Sequence, residues 1–145
     1  MNESDITLTN FTILPPLGPG TLGTSTGGGY AIHASKTPST ISNITITNLT
    51  VENGNRTGID LNGVNSAILN NITSKNAAYG NGISLSGVVG ASLSNITTGN
   101  NAWGGIAVYV SKPSQANRGS NNVTIDATTC TIPEWNKVYV QAEYS

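Results

Sequence analysis

The hexapeptide Gly-Ile-Asp-Leu-Asn-Gly at residues 58–63 returns as Gly-Ile-Ser-Leu-Ser-Gly at residues 82–87. A shorter copy, Gly-Ile-Ala-Val, follows at residues 105–108 after nearly the same interval. A second motif shares this period, because Ala-x-Leu-x-Asn-Ile-Thr at residues 67–73 recurs at residues 91–97. Self-similarity at a fixed period of this size is typical of a stacked repeat architecture.

Both motifs extend along the chain in constant register. The apolar positions of the first motif are Ile59/Leu61, Ile83/Leu85 and Ile106/Val108, with Tyr30/Ile32 as the upstream pair and Val138/Val140 as the downstream pair. The second motif fits residues 5–12 and 43–51 upstream, and residues 123–125 downstream without the Asn. We therefore predict one domain over residues 1–145, with repeats from 5 to 141 and loop insertions at 14–28, 35–40 and 111–120.

Apolar and polar residues alternate within each motif, which is the period of a β-strand and not of a helix. An Asn follows the second motif's alternating segment in four copies, at Asn10, Asn48, Asn71 and Asn95. Asn tolerates the left-handed conformation that turns a chain sharply, and stacked Asn side chains can hydrogen-bond as a ladder. Each coil is thus predicted to hold three short strands with an Asn ladder at one turn.

A leucine-rich repeat is the structural alternative, but it needs a helical segment opposite its strand, for which these repeats leave no room. With its Gly-Ile-x-Leu and Asn-Ile-Thr motifs, the chain resembles the right-handed parallel β-helix repeat family, the pectate-lyase-like solenoids. The resemblance covers residues 5 to about 141 and implies an all-β solenoid of about five coils. It says little about function, since that family includes lyases, hydrolases, epimerases, adhesins and phage tailspikes.

Composition excludes several classes of function. Charged residues make up 9% of the chain and the formal net charge is -1, which argues against nucleic-acid binding and a basic membrane patch. No apolar run is long enough to span a bilayer, so membrane insertion is not expected, and the opening residues do not form a signal peptide. Cys130 is the one cysteine, which precludes an internal disulfide. Most Asn-x-Ser/Thr sequons are interpreted as by-products of the turn Asn rather than glycosylation sites.

The resemblance implies that a polysaccharide substrate would lie along the first motif. Glycoside hydrolysis needs two carboxylates, and a calcium-dependent lyase needs several together with a base. Asp60 is the one acid among the outward residues there, and His33 is its nearest candidate partner for an Asp–His pair. We therefore predict no catalytic residues, no metal site and no cofactor, while an enzyme remains the alternative.

A glycan platform is the stronger candidate site. Arg56, Tyr79, Trp103 and Trp135 come at about the same place before successive first motifs, beside outward Asp60, Asn62, Ser84, Ser86 and Tyr109. Aromatic rings bury the apolar faces of sugars, while amides and hydroxyls bind the sugar hydroxyl groups. The alternative is that these rings only cover the corner of each coil.

Two further interpretations concern the surface and the ends. Thr-x-Thr at residues 7–9 and 45–47 resembles an ice-binding array, but Ile68, Asn70 and Asp126 interrupt it. A solenoid must also cover its ends, and no amphipathic helix is available to do so. Copies could stack head to tail into a filament, flanking coils of a longer protein could cover the ends, or the 14–28 loop could cap a monomer.

The sequence therefore predicts a non-catalytic β-solenoid module, extracellular or on the cell surface. Its role would be structural or adhesive, with self-assembly and glycan binding as possible activities. A polysaccharide-active enzyme, or a fragment of one, is the alternative, and ice binding is a weaker one.

Overall fold

The computed structural model describes residues 3–14, 29–35, 40–111 and 119–142, and within these ranges it contains β-strands and no helix. The ten strands, in chain order, are β1 (Ile6–Ile13), β2 (Ile32–Ala34), β3 (Ile41–Glu52), β4 (Ile59–Asn62), β5 (Val64–Lys75), β6 (Asn81–Ser86), β7 (Val89–Gly99), β8 (Gly104–Ser111), β9 (Asn121–Ile125) and β10 (Val138–Ala142). The predicted all-β class is confirmed. The predicted loop insertions at 14–28, 35–40 and 111–120 lie mostly outside the described residues.

The strands form two five-stranded sheets, and the chain alternates between them. Sheet A has the order β1-β3-β5-β7-β9, and sheet B has the order β10-β8-β6-β4-β2. Every strand pair within the sheets is parallel. Parallel neighbours cannot be joined by a tight hairpin, so each connection must cross to the other sheet and return.

The vertical register follows the sequence repeat. Ile59 pairs with Ile83 and Ile83 with Ile106 in sheet B, while Leu69 pairs with Leu93 in sheet A. The prediction for the first copy is wrong by two residues, because Ile32 lies beside Ile59 where Tyr30 was expected. The Tyr30 ring instead stacks on His33, with ring centroids 4.8 Å apart.

The long strands of sheet A are bent at residues with a left-handed backbone. Asn48 has φ 53° and Asn71 has φ 54°, and Asn10 and Asn95 share this conformation. In β3 the buried residues follow at intervals of 3, 2, 3 and 2, from Ile41 through Ile44, Ile46 and Leu49 to Val51. Side chains of an ordinary strand alternate strictly between its two faces. Each interval of three contains one left-handed residue, which bends the strand so that the next apolar side chain again points into the core. The two segments that the sequence separates at the Asn are therefore one bent strand.

A single cluster of buried aliphatic side chains joins the two sheets. It includes Ile44, Leu69 and Ile96 from sheet A, and Leu61 and Ile83 from sheet B, each at most 1% exposed. Columns of like-sized Ile, Leu and Val fill the interior because the register places equivalent residues in adjacent strands.

Glycines set how closely sheet B approaches the ends of the sheet A strands. A Cβ on Gly82 would lie 2.9 Å from the backbone oxygen of Gly105 and from the Thr98 methyl group. A Cβ on Gly58 would collide with Ser74, and one on Gly105 with Ile132. The glycine that opens each first motif is therefore required by close packing, which fixes the position of sheet B and of its outward side chains.

Candidate functional site

The candidate site is the outer row of sheet B, formed by the side chains that alternate with its core residues. The row is, from one edge of the sheet to the other, His33, Asp60, Ser84, Ala107 and Tyr139, together with Asn62, Ser86 and Tyr109. Its neighbours are the loops that enter β4, β6, β8 and β10, which carry Arg56, Tyr79, Trp103 and Trp135.

Asp60 lies at the centre of a compact hydrogen-bonded group. One oxygen of its carboxylate, Oδ2, is 2.8 Å from His33 Nδ1 and accepts a hydrogen bond of 2.6 Å from Asn62 Nδ2. The carboxylate side chain is 10% exposed and the imidazole 42%. An Asp held in this way orients the imidazole ring, which is how a carboxylate supports a histidine base. Asp60 is the sole carboxylate on this face among the described residues, so a second acid for glycoside hydrolysis is absent from that set.

An aromatic stack continues the group towards the edge of the sheet. The Tyr30 and His33 rings are nearly parallel, with 16° between their planes. The guanidinium carbon of Arg56 lies 5.0 Å from the centre of the Tyr30 ring. A cation over an aromatic face at this distance is attracted by the ring's quadrupole. Arg56 therefore contacts the Tyr30 ring, which lies just before β2.

A second polar network occupies the other half of the row. The Tyr139 hydroxyl donates to Asn81 Oδ1 over 2.8 Å, and Asn81 Nδ2 donates to Ser84 Oγ over 3.1 Å. Asn81 is fully buried, and its backbone N–H donates to the Thr57 hydroxyl over 3.1 Å. Both the side chain and the backbone of Asn81 thus bond to residues of other strands and loops, and the network links β10 to β6 across β8.

The predicted open groove is buried where its polar residues lie. Asp60, Asn62, Ser84 and Ser86 are 7%, 3%, 4% and 2% exposed, and Tyr109 is 8% exposed. Strand alternation suggested solvent-facing side chains at these positions, because an antiparallel or open sheet commonly has one wet face. In this structure, a sugar could not reach those five side chains without displacing what covers them.

The aromatic residues of the loops before β6, β8 and β10 differ in their contacts and in their exposure to solvent. Tyr79 and Trp103 pack edge to face with centroids 4.6 Å apart, and Trp103 is 40% exposed. Trp135 is 98% exposed. The loop backbones stack as well, since Trp103 N–H donates to Gly80 O and Asn136 Nδ2 donates to Trp103 O. Two tryptophans in successive stacked loops are therefore accessible to a ligand, whereas the five buried side chains of the outer row are not.

Three of the four ladder asparagines are joined across strands by two side-chain hydrogen bonds. Asn48 donates to Asn10 over 2.7 Å, and Asn71 donates to Asn48 over 2.8 Å. Asn95 departs from the column because its amide donates to Asn70 instead, over 3.3 Å. Its backbone N–H donates to Thr129 Oγ1, which belongs to the turn that replaces the Asn in the last copy.

Two further left-handed columns were not predicted from the sequence. Asn53, Asn76 and Asn100 form one, with Asn76 donating to Asn53 over 3.0 Å and Asn100 to Asn76 over 3.1 Å. The other consists of Asp5, Asn43, Ser66, Gly90 and Asn122. The spacing of the first column equals the repeat period and was the available signal. The second column mixes four residue types, so no single-residue pattern reveals it.

The sequence also gives no indication of a partly buried carboxylate contact made by Glu134. Glu134 accepts hydrogen bonds of 2.6 Å from the Thr98 hydroxyl and from Asn101 Nδ2. Asn101 is 7% exposed and its Oδ1 accepts from Ala77 N–H, so every polar atom of its amide is engaged. The contact ties the loop before β10 to the end of β7.

Neither a metal centre nor a membrane-spanning helix is found in the described residues. No group of three His, Cys, Asp or Glu side chains there could hold a metal ion, and no helix there is long and apolar enough to cross a bilayer. Comparison with known proteins gives no match: no family model, no curated protein and no solved structure is significantly similar to the chain.

Proposed function

We propose that the two sheets are walls of a right-handed parallel β-helix of five coils. The five coils would be β1 with β2, β3 with β4, β5 with β6, β7 with β8, and β9 with β10. Support comes from the alternation of the chain between the sheets and from the parallel pairing of each strand with its counterpart one repeat away. The right hand is expected because crossovers between parallel strands of one sheet almost always turn that way.

We infer that this β-helix is a structural module of an extracellular or cell-surface protein. The observation that carries the proposal is that two buried polar side chains, Asp60 in the outer row and Asn81 beside it, bond to other coils. Asp60 bonds to His33 in the coil before it, and Asn81 bonds to Tyr139 two coils later. Such bonds hold successive coils in register, which is what a rigid spacer or adhesive stalk requires. The chain is rich in Asn, Thr and Ser and has few charges, so uncharged polar side chains solvate its exterior, which is consistent with a location outside the cell.

Substitution of the outer row tests the structural role. Asp60→Asn should lower the midpoint of thermal unfolding, because the hydrogen bond to His33 loses its charged acceptor. Exposed Glu3→Gln is the matched control and should leave the midpoint unchanged.

The enzyme alternative is tested by incubation with acidic polysaccharides and calcium. New ultraviolet absorbance from unsaturated uronides that is lost in Asp60→Asn would overturn the structural proposal.

Glycan binding is the second candidate, and the exposed indoles of Trp103 and Trp135 favour it. Exposed aromatic rings of this kind are typical of surfaces that contact sugar rings. Titration with neutral and acidic polysaccharides should change tryptophan fluorescence, and Trp135→Ala should abolish part of that change. Val110→Ala removes another exposed apolar side chain, on β8, and serves as the control. Equal responses of the two variants would contradict a tryptophan platform.

A further inference from the structure

The β9–β10 end of the molecule leaves core positions uncovered. Val138 and Val140 occupy the same register as Ile106 and Val108, which are 0% and 6% exposed, yet they are 41% and 63% exposed. Beside them is an open cavity of about 270 Å³, lined by Ile125, Ala127, Cys130, Ile132, Lys137 and Val138. Apolar surface of this kind at a sheet edge favours association with another strand.

The opposite edge of sheet A is the structural counterpart of this end. Strand β1 is the edge strand there, and its inward residues Leu8 and Phe11 are only partly buried against the core. Within the molecule, Leu8 pairs with Ile46, Ile46 with Leu69, Leu69 with Leu93, and Leu93 with Ile125. A further strand added below Ile125 in the same register would therefore present a residue in the position of Leu8.

We propose that β1 of a second copy pairs in parallel with β9, so that copies stack head to tail. The proposal rests on the β-helical module proposed above, and the occupant of the exposed edge is this same chain. Leu8 of the incoming copy would lie against Ile125, in the register of the internal coils. Because the contact joins two different edges, it does not close on itself, and successive copies extend into a filament.

A hydrogen bond between Asn122 of one copy and Asp5 of the next would make the contact between β9 and β1 specific. Asp5 and Asn122 are the first and last members of the left-handed column, with φ 57° and 52°. Asp5 already accepts a hydrogen bond of 2.7 Å from Asn43 Nδ2, its neighbour in the next strand. Asn122 follows Gly90 in the column, and Gly90 has no side chain with which to bond. The amide of Asn122 can therefore turn its NH₂ group towards the incoming copy and donate to Asp5 from the side opposite to that copy's own Asn43.

Exchange of the two side chains tests the junction. Asn122→Asp places two carboxylates opposite each other, and we expect it to weaken association by about tenfold at low salt, less at high salt. The double variant Asp5→Asn with Asn122→Asp restores one amide and one carboxylate, so association should return to the wild-type level. Both positions are exposed, and Asp and Asn both tolerate a left-handed backbone, so the fold should persist. Sedimentation velocity over a concentration series measures the association.

Three outcomes would overturn the stacking. They are a wild-type chain that stays monomeric at every concentration, an Asn122→Asp variant that assembles as well as wild type, and a double variant that fails to recover. Circular dichroism and thermal melting of the same samples test the β-helix separately. A monomer with a strand spectrum and cooperative melting refutes the stacking alone, whereas loss of the strand spectrum in the wild type refutes the module as well.

Discussion

The side-chain amide of Asn71 donates a hydrogen bond of 2.8 Å to the side-chain oxygen of Asn48, its counterpart one repeat earlier. Both residues have φ close to 54°. The same residue type therefore does two things at this corner: its backbone accepts the left-handed conformation, and its amide joins adjacent strands. Few residues combine these properties, since β-branched and bulky side chains are strained at positive φ.

Substitutions at Asn71 should separate these two contributions. Asn71→Gly keeps an easy left-handed backbone but removes the amide, and we expect the free energy of unfolding to fall by about 1 kcal/mol. Asn71→Ala also strains the backbone, so its loss should be about 1 kcal/mol larger. Urea denaturation followed by circular dichroism measures both. Equal losses in the two variants would show that the left-handed backbone costs nothing here.

Gly82 should tolerate no side chain. An alanine Cβ there would meet the Gly105 backbone oxygen, the Thr98 methyl group and the Asn101 amide, each at 2.9 Å. Backbone atoms cannot move aside cheaply, so Gly82→Ala should lower the free energy of unfolding by about 2–3 kcal/mol.

Gly99→Ala is the matched control, because the nearest atom to its Cβ is a Lys75 side-chain carbon at 3.5 Å. The change in stability there should stay within about 0.5 kcal/mol. Urea denaturation of both variants measures the difference between their unfolding free energies, provided that their m-values are equal. A Gly82→Ala variant as stable as Gly99→Ala would mean that the sheets can separate at this corner.

The repeat period predicts the strand pairing of much of this fold, because residues one period apart lie beside each other in adjacent strands. Ile59, Ile83 and Ile106 align as expected, and so do Val138 and Ile125 in shorter, more divergent copies. The register error at Tyr30 arose because Tyr-Ala-Ile-His-Ala alternates equally well after a shift of two residues. Alternation alone cannot choose between these registers when an aromatic residue stacks outside the core instead of filling it.

The candidate site was less predictable for a different reason. Alternation identifies which side chains of a strand face the core, but it does not show whether the side chains on the other face are exposed to solvent. Asp60 and Ser84 are buried on that second side. His33 is the partner that the sequence predicts for Asp60, and the structure brings the two together, whereas Asn81, the partner of Ser84, lies just before the alternating motif. The partners of Glu134, in the β7 strand and the loop after it, likewise depend on how the loop before β10 folds back. No repeat spacing encodes the contacts of Asn81 and Glu134.

Glu134→Gln should destabilise the packing of the loop before β10 against the end of β7. Ala77 N–H fixes the orientation of the Asn101 amide, so Asn101 Nδ2 must face Glu134. A glutamine can offer its oxygen to Asn101 but then turns an NH₂ group towards Thr98, and it lacks the negative charge that strengthens both bonds. We expect a loss of about 1–2 kcal/mol in the free energy of unfolding, measured with urea.

Glu3→Gln provides the control for this substitution, because it removes the same charge from an exposed carboxylate near the other end. Its unfolding free energy should match the wild type. A Glu134→Gln variant that is equally stable would show that the loop before β10 is held by its backbone contacts alone.

Asp126 should titrate below its ordinary pKa of 3.8. The Thr128 hydroxyl donates to Asp126 Oδ1 over 2.7 Å and lowers the pKa most, followed by the Thr128 backbone N–H at 3.0 Å. Both bonds favour the charged carboxylate. Since the pKa in the folded state lies below that in the unfolded chain, the resulting stability is present above the unfolded pKa and is lost as the pH falls through the folded value.

Thr128→Val removes the hydroxyl while keeping the backbone N–H, so the pKa of Asp126 should rise part of the way back towards 3.8. The carbon-13 chemical shift of the Asp126 carboxyl group, followed by NMR through an acid titration, measures this directly. Thr129→Val is the control, because the Thr129 hydroxyl bonds to the Asp126 backbone oxygen and lowers the pKa least. If Thr129→Val moved the pKa as far as Thr128→Val does, the turn would act on Asp126 through its overall shape and not through the Thr128 hydroxyl.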